Sequence, residues 1–123
     1  MTLKAKPRDR LFLVTDAMPP AAGGPPRFAL QGREVTARNG RLELNEGTLA
    51  GSILTMDEAV RFCVNVMGLS LAEALRMATL TPARFLKVDR ELGRIAPGCR
   101  ANLVHLTDAL AVARTWIDAE ASR

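Results

Sequence analysis

The sequence predicts an α/β chain in which an apolar strand and a hairpin insert precede helices and a closing set of strands. Three observations predict it. The run Leu11-Phe-Leu-Val-Thr-Asp16 places four apolar residues in succession, the pattern of a strand buried on both faces. Two Ser/Thr-x-x-Glu boxes, Thr55/Glu58 and Ser70/Glu73, each introduce a segment whose apolar residues recur at helical spacing. After Gly93 the pattern changes to short β segments separated by turn formers.

Each element follows in order. Leu11–Asp16 reads as a buried parallel strand running into a loop at Met18-Pro-Pro20, and Ala21-Ala-Gly-Gly-Pro-Pro26 holds no regular structure and reads as a mobile loop. Phe28–Gly32 and Glu34–Ala37 read as two strands across a Gly turn. Asn39-Gly40 then favours a tight hairpin into Leu42–Leu44. From Thr55 a helix puts Ala59, Phe62, Cys63, Val66 and Met67 on one face and stops at Gly68. A second, from Ser70, lines up Leu71, Ala74, Leu75 and Ala78 and packs against the first. Thr81-Pro82 suits an N-cap with proline at the first helical position, opening a short helix through Phe85 and Leu86. Gly93–Gly98, Ala101–Leu106 and Val112–Ile117 read as closing strands.

Composition limits what this chain does. Its 123 residues suffice for one domain with a core, whereas a complete eightfold α/β barrel needs roughly 250. The longest stretch without a charge is the 11 residues Phe62–Ala72, against the roughly 20 that a membrane-spanning helix needs. Met1–Arg10 is basic, but only the four apolar residues Leu11–Val14 follow it, so no secretory signal is expected and the cytoplasm is the default location. The net charge of +4 is concentrated in residues 1–41. With no Tyr and a single Trp to stack on bases, that surplus reads as a solvated surface or the rim of an anionic small-molecule site, not a nucleic-acid interface. Cys63 and Cys99 have no metal or redox spacing and read as buried, reduced side chains. Trp116, Phe62, Met56, Met67 and Met77 read as core, and His105, the sole histidine, as a structural strand residue.

A lone parallel strand has nothing to pair with in a self-contained domain. The order becomes reasonable if that strand is the last of an α/β barrel and the closing strands belong to a separate β sandwich. Val14-Thr-Asp-Ala-Met-Pro-Pro20, Gly47-Thr-Leu-Ala-Gly-Ser52, Leu54-Thr-Met-Asp-Glu-Ala59, Glu73-Ala-Leu-Arg-Met-Ala-Thr79 with Pro82-Ala83, and Gly93-Arg-Ile-Ala-Pro-Gly98 closely resemble the C-terminal third of the N-acetylglucosamine-6-phosphate deacetylases, metal-dependent amidohydrolases. The last of these segments is shared by many amidohydrolases. Thr-Asp-Ala with Gly-Thr-Leu-Ala-Gly-Ser 32 residues further on is the specific pair. The resemblance runs from about Leu11 to Ile117 and implies an α/β fragment: residues 1–92 hold the last strand, hairpin insert and closing helices of a TIM-type barrel, and residues 93–123 the terminal strands of a small β sandwich.

The resemblance also implies chemistry. Such enzymes hydrolyse an acetamide to glucosamine 6-phosphate and acetate, with zinc or a similar divalent metal acidifying a water and a carboxylate moving its proton. That carboxylate matches Asp16, at the C-terminal end of the strand where barrel enzymes place catalysis. By itself Asp16 fits a cap of the turn before Met18 equally well. Leu49, Ala50 and Gly51 match positions that touch the amino-sugar phosphate substrate, small residues there letting backbone approach a ligand, although a tight loop before Thr55 is the plain alternative.

The departures matter as much. The family's metal-binding Glu and His residues, and its phosphate-binding His and Arg, lie on earlier strands, so no metal is expected on this chain alone and it is expected to be inactive by itself. Asn102 stands where relatives usually carry Asp, and Asp118-Ala119 where they turn through Gly into one more strand, which puts the completeness of the terminal sheet in question. The alternative reading is a non-enzymatic, self-associating or assembly module from a truncated gene. A dihydroorotase-like enzyme is disfavoured by the Gly47–Ser52 segment. Uncovered strand edges and helix stripes predict a homo-oligomer, a twofold dimer through Leu11–Val14 or the Phe62/Val66 face, and neither nucleic acid nor membrane is expected as a partner.

Overall fold

The computed structural model describes residues 7–38 and 40–122 and divides them into two compact units, Val14–Met56 and the remainder. Asn39 and Met1–Lys6 lie outside the described residues, so the Asn-Gly turn and the basic start are not described.

Val14–Met56 is a four-stranded antiparallel meander in the order β1 (Arg27–Leu30), β2 (Arg33–Arg38), β3 (Arg41–Leu44), β4 (Leu49–Ser52). The expected hairpins form. Leu30 pairs with Arg33 across a two-residue turn, and Arg38 pairs with Arg41. Val35 and Leu42 are fully buried beneath the sheet. The fourth strand corrects the plain alternative for Gly47–Ser52, a tight loop before Thr55, because Leu49–Ser52 pairs with β3 past an irregularity at Leu42/Glu43.

The apolar run is a second correction. Leu11–Asp16 forms no regular strand; Leu11 and Leu13 are half-buried, while Phe12 and Val14 are exposed. A strand needs a partner ladder. Here Leu13 donates its N–H to the Met77 carbonyl at 3.0 Å, Phe12 leans on the Phe85 ring at 5.3 Å, and a parallel rung, Ala17 with Ser52, falls beyond the run.

In the other unit, α1 (Met56–Asn65) starts directly after Thr55, and α2 (Leu71–Ala78) carries the complete Ser70/Glu73 capping box. Val60, Cys63, Leu69, Ala74 and Met77 form the core, with Leu11, Leu13, Val64, Leu75 and Ala78 packed against it. The buried stripe of α1 is Ala59, Val60 and Cys63, so the expected face is rotated: Phe62, Val66 and Met67 are exposed, as is Met56. Of the three methionines expected inside, only Met77 is buried; Trp116 is half-buried under the Arg114 guanidinium, and Cys99 is half-buried.

The short helix α3 (Leu80–Phe85) begins two residues earlier than expected, with Thr79 at its N-cap and Pro82 in its third position. Proline is tolerated there because the first-turn N–H groups have no helical acceptor. Gly93–Gly98 is a series of turns, not a strand. Gly93 has φ +90°, and a Cβ there would lie 2.8 Å from Ala83 Cβ and 3.0 Å from Leu80 Cα, so the motif's glycine lets the chain pass against α3. The closing sheet is β5 (Leu103–Leu106), β6 (Val112–Ile117) and β7 (Glu120–Ser122), all antiparallel. The turn at Asp118-Ala119 thus forms without glycine and delivers the extra strand. No described helix is long and apolar enough to cross a membrane.

Candidate active site

Asp16 stands in the left-handed region, with φ 53°. Aspartate visits that region more readily than most residues, yet something must hold it there. Ser52, the last residue of β4, does so through main-chain bonds on either side: its N–H donates to the Asp16 carbonyl at 2.9 Å, and its carbonyl accepts from the Met18 N–H at 3.0 Å. The Ser52 hydroxyl donates to the Thr15 carbonyl at 2.5 Å and accepts from the Leu54 N–H at 3.1 Å. The Ala17 N–H goes to Thr15 Oγ1 at 3.3 Å.

The carboxylate of Asp16 takes part in none of this. The donors that a turn-capping aspartate would satisfy, the N–H groups of Ala17 and Met18, are bonded to Thr15 and Ser52, and among the described residues nothing bonds the Asp16 side chain, which is exposed. The capping alternative therefore fails on geometry. What remains is a carboxylate whose backbone is held and whose oxygens are open among the described residues.

Gly51 is brought beside it. With φ +131°, it is buried, and a Cβ there would lie 2.8 Å from Met18 Cγ and 3.2 Å from the Asp16 carbonyl oxygen. Ala50 is half-buried and Leu49 is 66% exposed on the same strand. Close backbone approach at Gly51 thus serves contact with the Asp16 loop itself. Ser52 is the residue that sequence reading passed over, because a serine ending a small-residue segment gives no signal until β4 is known to pair with Ala17.

No three His, Cys, Asp or Glu side chains among the described residues come together as a metal site. His105 is exposed on β5. Cys63 is buried in the helical core, where burial pushes its thiol up from the ordinary value, against the thiolate a metal requires. The described residues do not by themselves fit a catalytic metal.

Solved structures align closely. N-acetylglucosamine-6-phosphate deacetylase from Pasteurella multocida superposes with a TM-score of 0.84 at 38% identity, over 93% of this chain and 30% of that one. Among curated relatives, N-acetylgalactosamine-6-phosphate deacetylase of Escherichia coli O157:H7 is 43% identical over 92% of this chain and 30% of its own length. N-acetylglucosamine-6-phosphate deacetylase of Haemophilus influenzae is 36% identical over 89% and 29%. The chain therefore spans about 30% of the length of these relatives. The profile of the amidohydrolase family matches residues 4–121, and the chain belongs to that family.

Proposed function

We propose that this chain supplies the C-terminal portion of a deacetylase acting on an N-acetylated amino-sugar 6-phosphate, with Asp16 as its proton carrier. The observation that carries the reading is the open carboxylate on a fixed backbone at Asp16, in a segment that matches the family over nearly its whole length. Hydrolysis of the acetamide requires a base to take a proton from the attacking water and an acid to return one to the departing amine nitrogen. One carboxylate with free oxygens performs both in turn. Leu49, Ala50 and Gly51 line the sugar's side of that position. On this reading residues 1–92 complete the barrel of the parent enzyme and residues 93–123 its small β sandwich, while the divalent metal is held by residues that this chain does not carry. The relatives' names include both gluco and galacto sugars, so the substrate class is the 2-acetamido-hexose 6-phosphate and the C4 hydroxyl is the variable.

The test is a chimera in which this chain replaces the matching C-terminal portion of the Pasteurella multocida enzyme. Acetate release from N-acetylglucosamine 6-phosphate and its galacto epimer is then measured, beside the isolated chain. The chimera should hydrolyse at least one of them and the isolated chain neither. A folded chimera with the parent's metal content and no hydrolysis, or an isolated chain that hydrolyses with a metal surviving dialysis, overturns the proposal.

A further inference from the structure

We propose that the Ser52 hydroxyl is the positioning group for Asp16, setting the direction of its carboxylate without touching substrate. This rests on the proposed role of Asp16 and extends it to a second residue. Any amino acid except proline at position 52 could supply the main-chain bonds to the Asp16 carbonyl and the Met18 N–H. Only a hydroxyl supplies the other pair, donating to the Thr15 carbonyl at 2.5 Å while accepting from the Leu54 N–H at 3.1 Å. That pair fixes the peptide immediately before Asp16 to the end of β4. Together the bonds grip residues 15, 16 and 18 from one side, and the parallel rung Ala17–Ser52 lies at their centre.

Gly51 makes the grip possible. Any side chain there would meet Met18 Cγ at 2.8 Å and push the far end of the loop away from β4. A residue at φ 53° has an ordinary extended or helical conformation available if its neighbours let go. In either, the Asp16 side chain points elsewhere, and displacements of about 1 Å in a reacting group cost on the order of 10² in rate.

The experiment compares Ser52→Thr with Ser52→Val, which share a shape and differ in the hydroxyl. In the active chimera, Ser52→Val should lower kcat roughly 10- to 100-fold with KM within about twofold. Ser52→Thr should recover most of the loss. In the isolated chain, Ser52→Val should speed amide exchange at Met18 and Leu54, and Asp16→Asn should not. Equal kcat for the Thr and Val variants, or unchanged exchange in the Val variant, overturns the inference. If instead Asp16→Asn itself leaves kcat unchanged, the proposed role of Asp16 falls, and with it the catalytic meaning of the clamp, whatever the exchange shows. Should Ser52→Val fail to fold, Ser52→Ala takes its place with the same expectations.

Discussion

Two aspartates of this chain share a positive φ and differ in the fate of their carboxylates. Asp16 has φ 53° and Asp118 has φ 50°. At Asp118 the side chain is consumed: Arg100 donates from Nε and Nη2 to its two oxygens at 2.9 and 2.5 Å, and this guanidinium holds the carboxyl below the usual carboxylate range. The turn around it is tied by Asn102 Oδ1, which accepts from the Asp118 N–H at 2.9 Å, and by the Ala101 carbonyl, which accepts from the Ala119 N–H at 3.0 Å. At Asp16 the backbone is held by another residue altogether, and the carboxylate is left open. The contrast teaches that an unusual φ marks a constrained place, and that only the fate of the side chain tells structure from chemistry.

The largest effect that sharpens this contrast is on rate. In the chimera, Asp16→Asn should lower kcat by roughly 10² to 10⁴, the usual contribution of a positioned acid–base group, with KM and metal content largely kept. An unchanged kcat would make the two aspartates alike. Next is the glycine of the turn motif: Gly93→Ala forces a Cβ into Ala83 and strains φ +90°, and should destabilise by about 2 kcal/mol in urea unfolding. Smaller, and of opposite sign, is Ala119→Gly. Ala119 sits at φ 71° in the second position of a turn that glycine adopts freely, so the change should stabilise by about 0.5–1 kcal/mol. Self-association is the remaining expectation: Phe62 and Val66 are 54% and 67% exposed, and light scattering at micromolar concentration should report a dimer. A compact monomer would show that these faces need no partner.

Much of this was legible in the sequence because it was local. The capping box at Ser70, the Gln31-Gly32 hairpin turn and β6 depend on residues within a few positions of one another. The apolar run Leu11–Val14 forms no strand because apolar character specifies no pairing partner, and no ladder forms on it among the described residues. On α1 the periodicity leaves two stripes open, since Val60 and Phe62 both suit an inward position, and the core cluster with Leu69 and Ala74 takes Val60. At the site, Asp16 could be found from its motif. Ser52 could not, since its role depends on a 37-residue separation closed by a four-stranded sheet.

The most direct test of the contrast is a pair of thermal melts of the isolated chain, carrying Asp16→Asn or Asp118→Asn, followed from pH 7 to pH 2.5. Because Arg100 depresses the Asp118 carboxyl in the folded state, its stabilisation is present above the ordinary value of 3.8 and is lost as pH falls through the lower folded value. Asp118→Asn should therefore lower the melting temperature at neutral pH, by an amount that salt reduces and that shrinks as pH falls below 3.8. Asp16→Asn should leave the melting temperature at the wild-type value at neutral pH. A loss of stability on Asp16→Asn as large as that on Asp118→Asn would mean that both carboxylates hold turns together, and the assignment of Asp16 to chemistry would be wrong.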